Sequence, residues 1–265
     1  MLRELKDTEK TLAAAGYCAR PAVHAQGSVP ALDPARAILP DDLNIVLDSA
    51  AVSAVSGWCM LSDGASYLTV RRTLPGVTRD MLQWAVAWHG LEPVNHMAFN
   101  GETHHSAGVS ALDEEKIRRP YLSHEQKSEG IIVYTVDSIG GTLTENVTYY
   151  YSPADQGLDL DRYARSGALT IGGTVIRQEH AVTDPQKKWL NAVITVVRDT
   201  ADGVEVQTHL WEGYKILRRE ARRFDVNGIQ PTPEHTQMLA DYIDSEWTQL
   251  GAILPELYAR FGDTI

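Results

Sequence analysis

The sequence has 265 residues, and its 35 acidic against 24 Lys and Arg residues give a formal net charge of -11. A chain of this length can bury a sizeable core, whereas the acidic balance and the lack of a basic run argue against nucleic acid or an anionic membrane as a partner. The N-terminus lacks the apolar core of a signal peptide, and no apolar stretch reaches the length of a membrane span. We therefore expect a soluble, cytoplasmic protein.

The first part of the chain predicts helices and an extended arm. Residues 1–20 suggest a short helix, and residues 21–40, rich in Pro, Ala and Gly, predict an arm that wraps the body or a second subunit. The stretch ASYLTVRRTLP has the composition of a strand. Residues 75–90 predict a helix with Thr78 as its N-cap and Gly90 as its stop.

From Val94 onward the pattern becomes β-rich. The turns IGGT and ADG each join two strand-like runs, which is typical of antiparallel hairpins. His209 and Glu212, three residues apart in one such run, are predicted to face opposite sides of the sheet. The candidate strands are residues 94–99, 130–138, 141–151, 168–180, 189–198 and 204–217.

The chain closes with one long amphipathic helical pattern. Thr232 and Pro233 supply a cap and a first-turn proline, while Pro255 is expected to kink or interrupt the helix. A meander of antiparallel strands followed by such a helix predicts an α+β, helix-grip (START-like) fold, in which a curved sheet surrounds the helix and leaves a cavity. Tyr242 and Glu246, four residues apart, would project side by side, with Glu246 facing that cavity.

Several stretches occur in the order found in one enzyme family. They are GWCMLSDGASYLTVRRTLPGVT, WHGLEP, DSIGG, RDTADG and LPELY. With them the chain resembles the 2,4-diacetylphloroglucinol and phloretin hydrolases from about residue 40 onward. The resemblance implies a helix-grip catalytic domain over residues 91–265, an N-terminal region over residues 1–90 that contributes to a homodimer, and zinc-dependent hydrolysis of a carbon–carbon bond between an acyl group and a phenolic ring.

The same resemblance implies a metal site. Its first histidine falls on His104 or on the adjacent His105, its strand glutamate on Asp137, and its helical His-x-x-x-Glu pair on Tyr242 and Glu246, with tyrosine in place of histidine. Three ligands, His104, Asp137 and Glu246, would leave an open position for water, as in catalytic zinc sites. A plain hydrogen bond from Tyr242 to Glu246 or Asp137, with no metal, is the competing interpretation.

Two further histidines are candidates for catalysis beside Tyr242. A family tyrosine before the first ligand falls on His96, and a family pocket histidine corresponds to His180, both on predicted strands. A second histidine expected before RDTADG is missing.

Three functions follow from these observations. The leading hypothesis is a metal-dependent hydrolase that cleaves the carbon–carbon bond of an acylated phenol or β-diketone. The alternatives are a metal-independent cyclase or isomerase acting on a polyketide-like intermediate through acid–base groups, and a non-catalytic carrier of small molecules.

Overall fold

The computed structural model describes residues 16–49, 52, 55–180, 188–224 and 230–265. Within these ranges an eight-stranded antiparallel sheet packs against a long C-terminal helix, which confirms the predicted helix-grip class. The strands are β1 (Gly57–Met60), β2 (Ser66–Pro75), β3 (His104–Val109), β4 (Ile132–Ile139), β5 (Thr142–Tyr150), β6 (Leu169–Glu179), β7 (Trp189–Asp199), β8 (Gly203–Glu212), β9 (Tyr214–Leu217) and β10 (Glu220–Arg223). The order of the strands across the sheet is β1-β2-β8-β7-β6-β5-β4-β3, and a separate hairpin pairs β9 with β10.

The helices lie mostly in the connections between strands. Those of the described ranges are α1 (Arg79–Trp88), α2 (Pro93–Phe99), α3 (Ala111–Ile117), α4 (His124–Ser128), α5 (Leu160–Ser166) and α6 (Pro233–Phe261), with 3-10 segments at Tyr17–Ala19, Pro34–Arg36, Pro40–Leu47 and Gly262–Thr264. None of the helices in the described ranges is long and apolar enough to cross a membrane.

The two predicted hairpins are confirmed. Ile139 pairs with Thr142 at the end of β4 and β5, and the two residues between them, Gly140 and Gly141, have φ angles of 58° and 79°. Two consecutive positive φ values give the tight turn that matches strand twist, and glycine reaches them without a steric penalty. The ADG stretch likewise joins β7 to β8.

Helix α6 forms the inner layer against the sheet. Its start is as predicted, because the Thr232 hydroxyl accepts a hydrogen bond from the His235 amide and Pro233 occupies the first turn. The predicted interruption at Pro255 is wrong: the helix continues from Pro233 to Phe261. Apolar residues such as Leu239, Leu254 and Leu257 anchor this helix in the core.

The N-terminal segment covers both the helix and the outer face of the sheet. Arg20 pairs with Glu256 of α6, and the Val23 and Val29 amides donate to α6 side chains. The segment then makes a bridge from Ala31 to Trp58. Beyond it, Ile38, Leu43, Val46 and Leu47 pack with Tyr67, Ala192, Ile194 and Trp211 of the sheet. The prediction of an arm that wraps the body is confirmed.

One predicted element has the wrong type. Residues 94–99, expected as a strand, belong to helix α2. Pro93 sets the backbone angle of the first helical turn, and the Asn95 side chain donates to the Trp88 carbonyl. A segment of seven residues is too short to show a helical period, which is why its apolar residues resembled a strand.

The structure tests two predictions only in part: the domain boundary at residue 90 and the helix over residues 1–20. Strands β1 and β2 lie before residue 90 and pair into the same sheet as the strands that follow it, through β2 and β8. The division into residues 1–90 and 91–265 stays a prediction, as does a homodimer. Residues 1–15 lie outside the described ranges.

Candidate active site

Four side chains from four different elements converge at one end of the sheet. Helix α2 supplies His96, β3 supplies His104, β4 supplies Asp137 and α6 supplies Glu246. The pairing of β3 with β4 sets His104 directly opposite Asp137, and α2 ends shortly before β3 begins, so His96 lies close to His104. We call these residues the four-residue cluster.

The polar atoms of this cluster are within direct contact. His96 Nε2 lies 2.7 Å from Asp137 Oδ1, and His104 Nε2 lies 2.8 Å from Glu246 Oε2 and 4.0 Å from Asp137 Oδ1. The two imidazole rings stack with centroids 3.9 Å apart and an interplanar angle of 1°. Atoms of His96, His104 and Asp137 lie within 4.8 Å of one another, which suits the binding of a metal ion.

Neighbouring side chains fix the orientation of both carboxylates. Asp137 Oδ2 accepts hydrogen bonds from Thr135 at 2.6 Å and from Asn146 at 2.7 Å, so that Oδ1 faces the histidines. Glu246 Oε1 accepts from Asn100 at 2.8 Å and from Thr103 at 3.2 Å, so that Oε2 faces His104. Such supporting bonds hold a ligand or a catalytic group in one position.

The pKa values of the cluster are set by its burial and by the two carboxylates that it contains. Burial alone would lower the pKa of His104, but Glu246 and Asp137 outweigh it and raise that pKa to about 9. Burial would raise the pKa of Glu246, and the charge and hydrogen bond of His104 lower it instead. For Asp137, burial is likewise outweighed by the bond and charge of His96, and the pKa falls. The cluster therefore favours a positive charge at its centre.

A metal cation fits this requirement. The His104 Nδ1–H donates to the His96 carbonyl oxygen at 3.1 Å, and this bond leaves Nε2 of the neutral ring with a lone pair. That lone pair faces the Glu246 carboxylate, so a proton or a metal ion has to lie between them. Imidazole and carboxylate groups are the ligands that zinc takes in proteins.

The cluster lies at two neighbouring cavities, called lobes here, that share part of their walls. The histidine lobe, of about 310 Å³, is lined by His89, His96 and His104 and by apolar residues of α1, α2 and α6. The arginine lobe, of about 270 Å³, is lined by Asp137, Arg177 and Tyr242. Glu246 belongs to the walls of both lobes, as do Thr148, Val175, Val193, Thr195 and Trp247.

The structure distinguishes His104 from His105. Successive strand residues point to opposite faces, and here His104 is buried while His105 is exposed and contacts Ser138. His96, predicted on a strand, is on helix α2 and belongs to the four-residue cluster.

Tyr242 and His180 have different surroundings from the cluster. Tyr242 lines the arginine lobe, and burial, followed by the charges of Glu246 and Asp137, holds its pKa well above the usual range. His180 follows β6, is exposed and pairs with the exposed Glu145. It does not belong to the linings of the two lobes.

Sequence reasoning missed a second buried polar group, which reaches the arginine lobe through Arg177. Arg177 Nη2 lies 3.1 Å from Glu212 Oε1 and 2.9 Å from His235 Nε2, and His235 Nδ1 lies 3.0 Å from the same Glu212 oxygen. Ser66 donates to the other Glu212 oxygen. We call Arg177, Glu212 and His235 the arginine cluster. A charged residue inside the apolar strand run VQTHLWEG was the signal available for Glu212.

Glu212 and His209 do face opposite sides, as predicted. Glu212 belongs to the arginine cluster on the helix side, whereas His209 contacts the Tyr67 hydroxyl, whose ring packs against the outer segment.

Comparison with known proteins gives a consistent result. Residues 38–259 match the family model described as DAPG hydrolase PhiG domain. The chain is 23% identical to 2,4-diacetylphloroglucinol hydrolase of Pseudomonas protegens, over 84% of this chain and 73% of that protein. It is 25% identical to phloretin hydrolase of Eubacterium ramulus, over 78% of this chain and 73% of that protein.

Solved structures resemble it more distantly. Ara h 8.0201 has a TM-score of 0.42 at 8% identity, covering 72% of this chain and 99% of that one. A START superfamily protein from Mycobacterium smegmatis has a TM-score of 0.38 at 9% identity, covering 73% and 98%. The family model, which matches most of the sequence, decides the assignment: the chain belongs to the DAPG hydrolase family of enzymes.

Proposed function

We propose that this chain hydrolyses the carbon–carbon bond between an acyl group and a phenolic ring, with a zinc ion held by the four-residue cluster. The observation that carries the proposal is the meeting of two imidazoles and two oriented carboxylates at the junction of two cavity lobes. The family relation supplies the class of reaction, because the named relatives are hydrolases of 2,4-diacetylphloroglucinol and phloretin.

The proposed ligands differ in one place from those implied by the sequence resemblance. Tyr242 stands where the family pattern has a histidine, and His96 from α2 brings a second imidazole beside His104. Glu246 joins the set because its Oε2 lies 2.8 Å from His104 Nε2, so a cation bound to that nitrogen also faces the carboxylate. His96, His104, Asp137 and Glu246 would then hold the ion.

The reaction consumes one water molecule. Hydroxide from the water adds to the acyl carbon, the bond from that carbon to the ring breaks, and the proton of the water goes to the ring carbon, giving a carboxylic acid and the free phenol. A bound zinc ion would polarise the acyl carbonyl and favour deprotonation of the water. Glu246 lines both lobes and is placed to carry the proton from the water to the ring.

The surrounding residues position these groups. Asn100 and Thr103 hold the Glu246 carboxylate, and Thr135 and Asn146 hold that of Asp137. The apolar residues of the histidine lobe, among them Leu82, Val86 and Leu250, exclude water from the acyl side. Oriented groups in a water-poor cavity lower the barrier without reorganising during the reaction.

The test compares two adjacent histidines. We expect purified protein to contain one equivalent of a divalent ion and to release acetate from 2,4-diacetylphloroglucinol. His104→Ala should lose both the ion and the activity, whereas the exposed His105→Ala should keep both. A wild-type protein that stays free of metal after incubation with zinc, or whose activity survives a chelator, would contradict the proposed mechanism.

A further inference from the structure

The histidine lobe is larger than an acetyl group requires. Its volume of about 310 Å³ reaches the lower limit of about 300 Å³ for cavities that hold a whole small molecule. The methyl group of an acetyl is about as large as one water molecule, whose share of liquid volume is about 30 Å³. An acetyl group would therefore leave most of this lobe without contacts.

The wall of this lobe is largely apolar and belongs to the core. Three helices and one strand contribute the apolar residues Leu82, Val86, Phe99, Leu250 and Ile171. Leu82 and Phe99 are buried members of a hydrophobic core, and the other three pack against that core. Side chains in a packed core stay in defined rotamers, so the lobe has a defined shape that suits an apolar group.

Two polar side chains of the same wall use their hydrogen-bonding atoms on the protein. Gln249 accepts a hydrogen bond from the Val23 amide at 2.7 Å and donates one to the Phe99 carbonyl at 2.9 Å. The Trp247 indole donates to the Thr208 hydroxyl at 2.8 Å. Because these atoms already have partners, they do not require polar atoms from a ligand.

The apolar wall lies next to the residues proposed to react. His96, His104 and Glu246 line the same lobe, so an acyl group that reacts beside them can extend its carbon chain into it. The wall of the arginine lobe instead includes the charged Arg177. An apolar chain is therefore better placed in the histidine lobe.

We propose that the histidine lobe binds an acyl chain of several carbons, and that the preferred substrate is an acylated phenol whose acyl group is longer than acetyl. The chain extends past His104 along Leu82, Val86 and Leu250. An acetyl group reacts as well but leaves most of the lobe unfilled. The inference rests on the proposed function for the type of reaction and adds the class of acyl group.

The length of the chain sets how much apolar surface is buried. Each methylene that moves from water into the lobe should strengthen binding by about four-fold. Binding energy of this kind is also present in the transition state, so kcat/KM rises with it. A butanoyl group, with two more methylenes than acetyl, should therefore be preferred by about 16-fold.

The experiment compares three 2,4,6-trihydroxyphenyl ketones with an acetyl, a butanoyl or a hexanoyl chain. Ketones that the protein hydrolyses are compared by kcat/KM, and ketones that it does not hydrolyse by the dissociation constant from calorimetry. We expect a rise of about four-fold per methylene with the wild-type protein. Leu250→Phe fills part of the histidine lobe, so it should remove most of this rise and leave the acetyl ketone nearly unchanged.

A matched control lies on the same helix. Ile243, two turns before Leu250 on α6, is half-buried as Leu250 is, and of the two lobes it lines only the arginine lobe. Ile243→Phe should therefore keep the wild-type rise. Equal values for the three ketones with the wild-type protein, or a rise that Ile243→Phe removes and Leu250→Phe keeps, would overturn the inference. Circular dichroism checks folding, and Val86→Phe on α1 repeats the test if Leu250→Phe fails to fold.

The two proposals can fail separately. Hydrolysis of all three ketones with the same kcat/KM would remove the inference about the acyl chain and leave the proposed function. Affinity that rises with chain length without any hydrolysis would keep the assignment of the lobe and remove the proposed function.

Discussion

Two buried clusters of the molecule balance their charges in different ways. In the arginine cluster, the permanent charge of Arg177 neutralises Glu212, and Ser66 and His235 contact the same carboxylate. In the four-residue cluster, the ion-pair partners of Asp137 and Glu246 among the described residues are imidazoles, and their other donors are neutral hydroxyl and amide groups. The first cluster is complete within the protein, whereas the second needs a proton or a metal ion. A buried carboxylate indicates a reactive site when its partners carry no permanent charge.

The largest expected effect is the loss of an imidazole from the four-residue cluster. His96→Ala removes one proposed ligand and the partner of Asp137 Oδ1. We expect loss of the metal ion and a fall in hydrolysis of about 100-fold or more, at the upper end of what weakened metal sites lose. Elemental analysis and acid release measure the two effects. Full metal content in this variant would show that His96 is not a ligand.

A change in the arginine cluster should instead affect stability. Arg177→Met leaves Glu212 as an uncompensated buried charge, which costs about 3–5 kcal/mol. The measurement is urea unfolding without substrate. The double variant Arg177→Met with Glu212→Leu is the control and should recover most of the loss, because no charge then remains buried. A double variant as unstable as the single one would show that packing, not charge, is responsible.

The pH dependence of stability sharpens the same comparison. Burial would raise the pKa of Glu212, but the His235 hydrogen bond and the Arg177 charge lower it below its ordinary 4.5. Its contribution is therefore present above about 4.5 and is lost as the pH falls through the folded-state value. Each unit of that difference is worth about 1.4 kcal/mol. Glu212→Gln should make the unfolding free energy fall less steeply in acid, and an unchanged slope would contradict this assignment.

A smaller effect is expected at Tyr242. The ligand set proposed for the four-residue cluster does not include this phenol, so Tyr242→Phe should retain the full metal content and lose less than about 100-fold in activity, the lower limit of an acid–base contribution. Metal analysis and kcat for 2,4-diacetylphloroglucinol are the measurements. Loss of the ion would show that the tyrosine occupies the ligand position of the family's histidine.

The smallest effect is expected at His180. Its side chain pairs with Glu145 on the surface, and exposed pairs contribute about 0–1 kcal/mol. His180→Ala should change activity by less than about two-fold. A large loss of activity at unchanged stability would restore the catalytic role implied by the resemblance.

The sequence by itself determined most of the scaffold. Long helices and strands can be predicted from local sequence patterns alone. The β-branched runs and glycine turns predicted β4 to β8, and Thr232 with Pro233 predicted the start of α6. The spacing of Tyr242 and Glu246 placed both on the cavity side of that helix. The ordered motifs also indicated His104, Asp137 and Glu246 as neighbours.

Only the tertiary structure decided how the polar residues of the cavity are combined. His96 belongs to a seven-residue helix, which is too short to show a helical period in the sequence. It lies beside His104 because α2 packs against β3. Arg177 and Glu212 stand on β6 and β8, and they come into contact because both strands pair with β7 between them. Burial and partnership are properties of such contacts across the sheet, and a single sequence does not contain them.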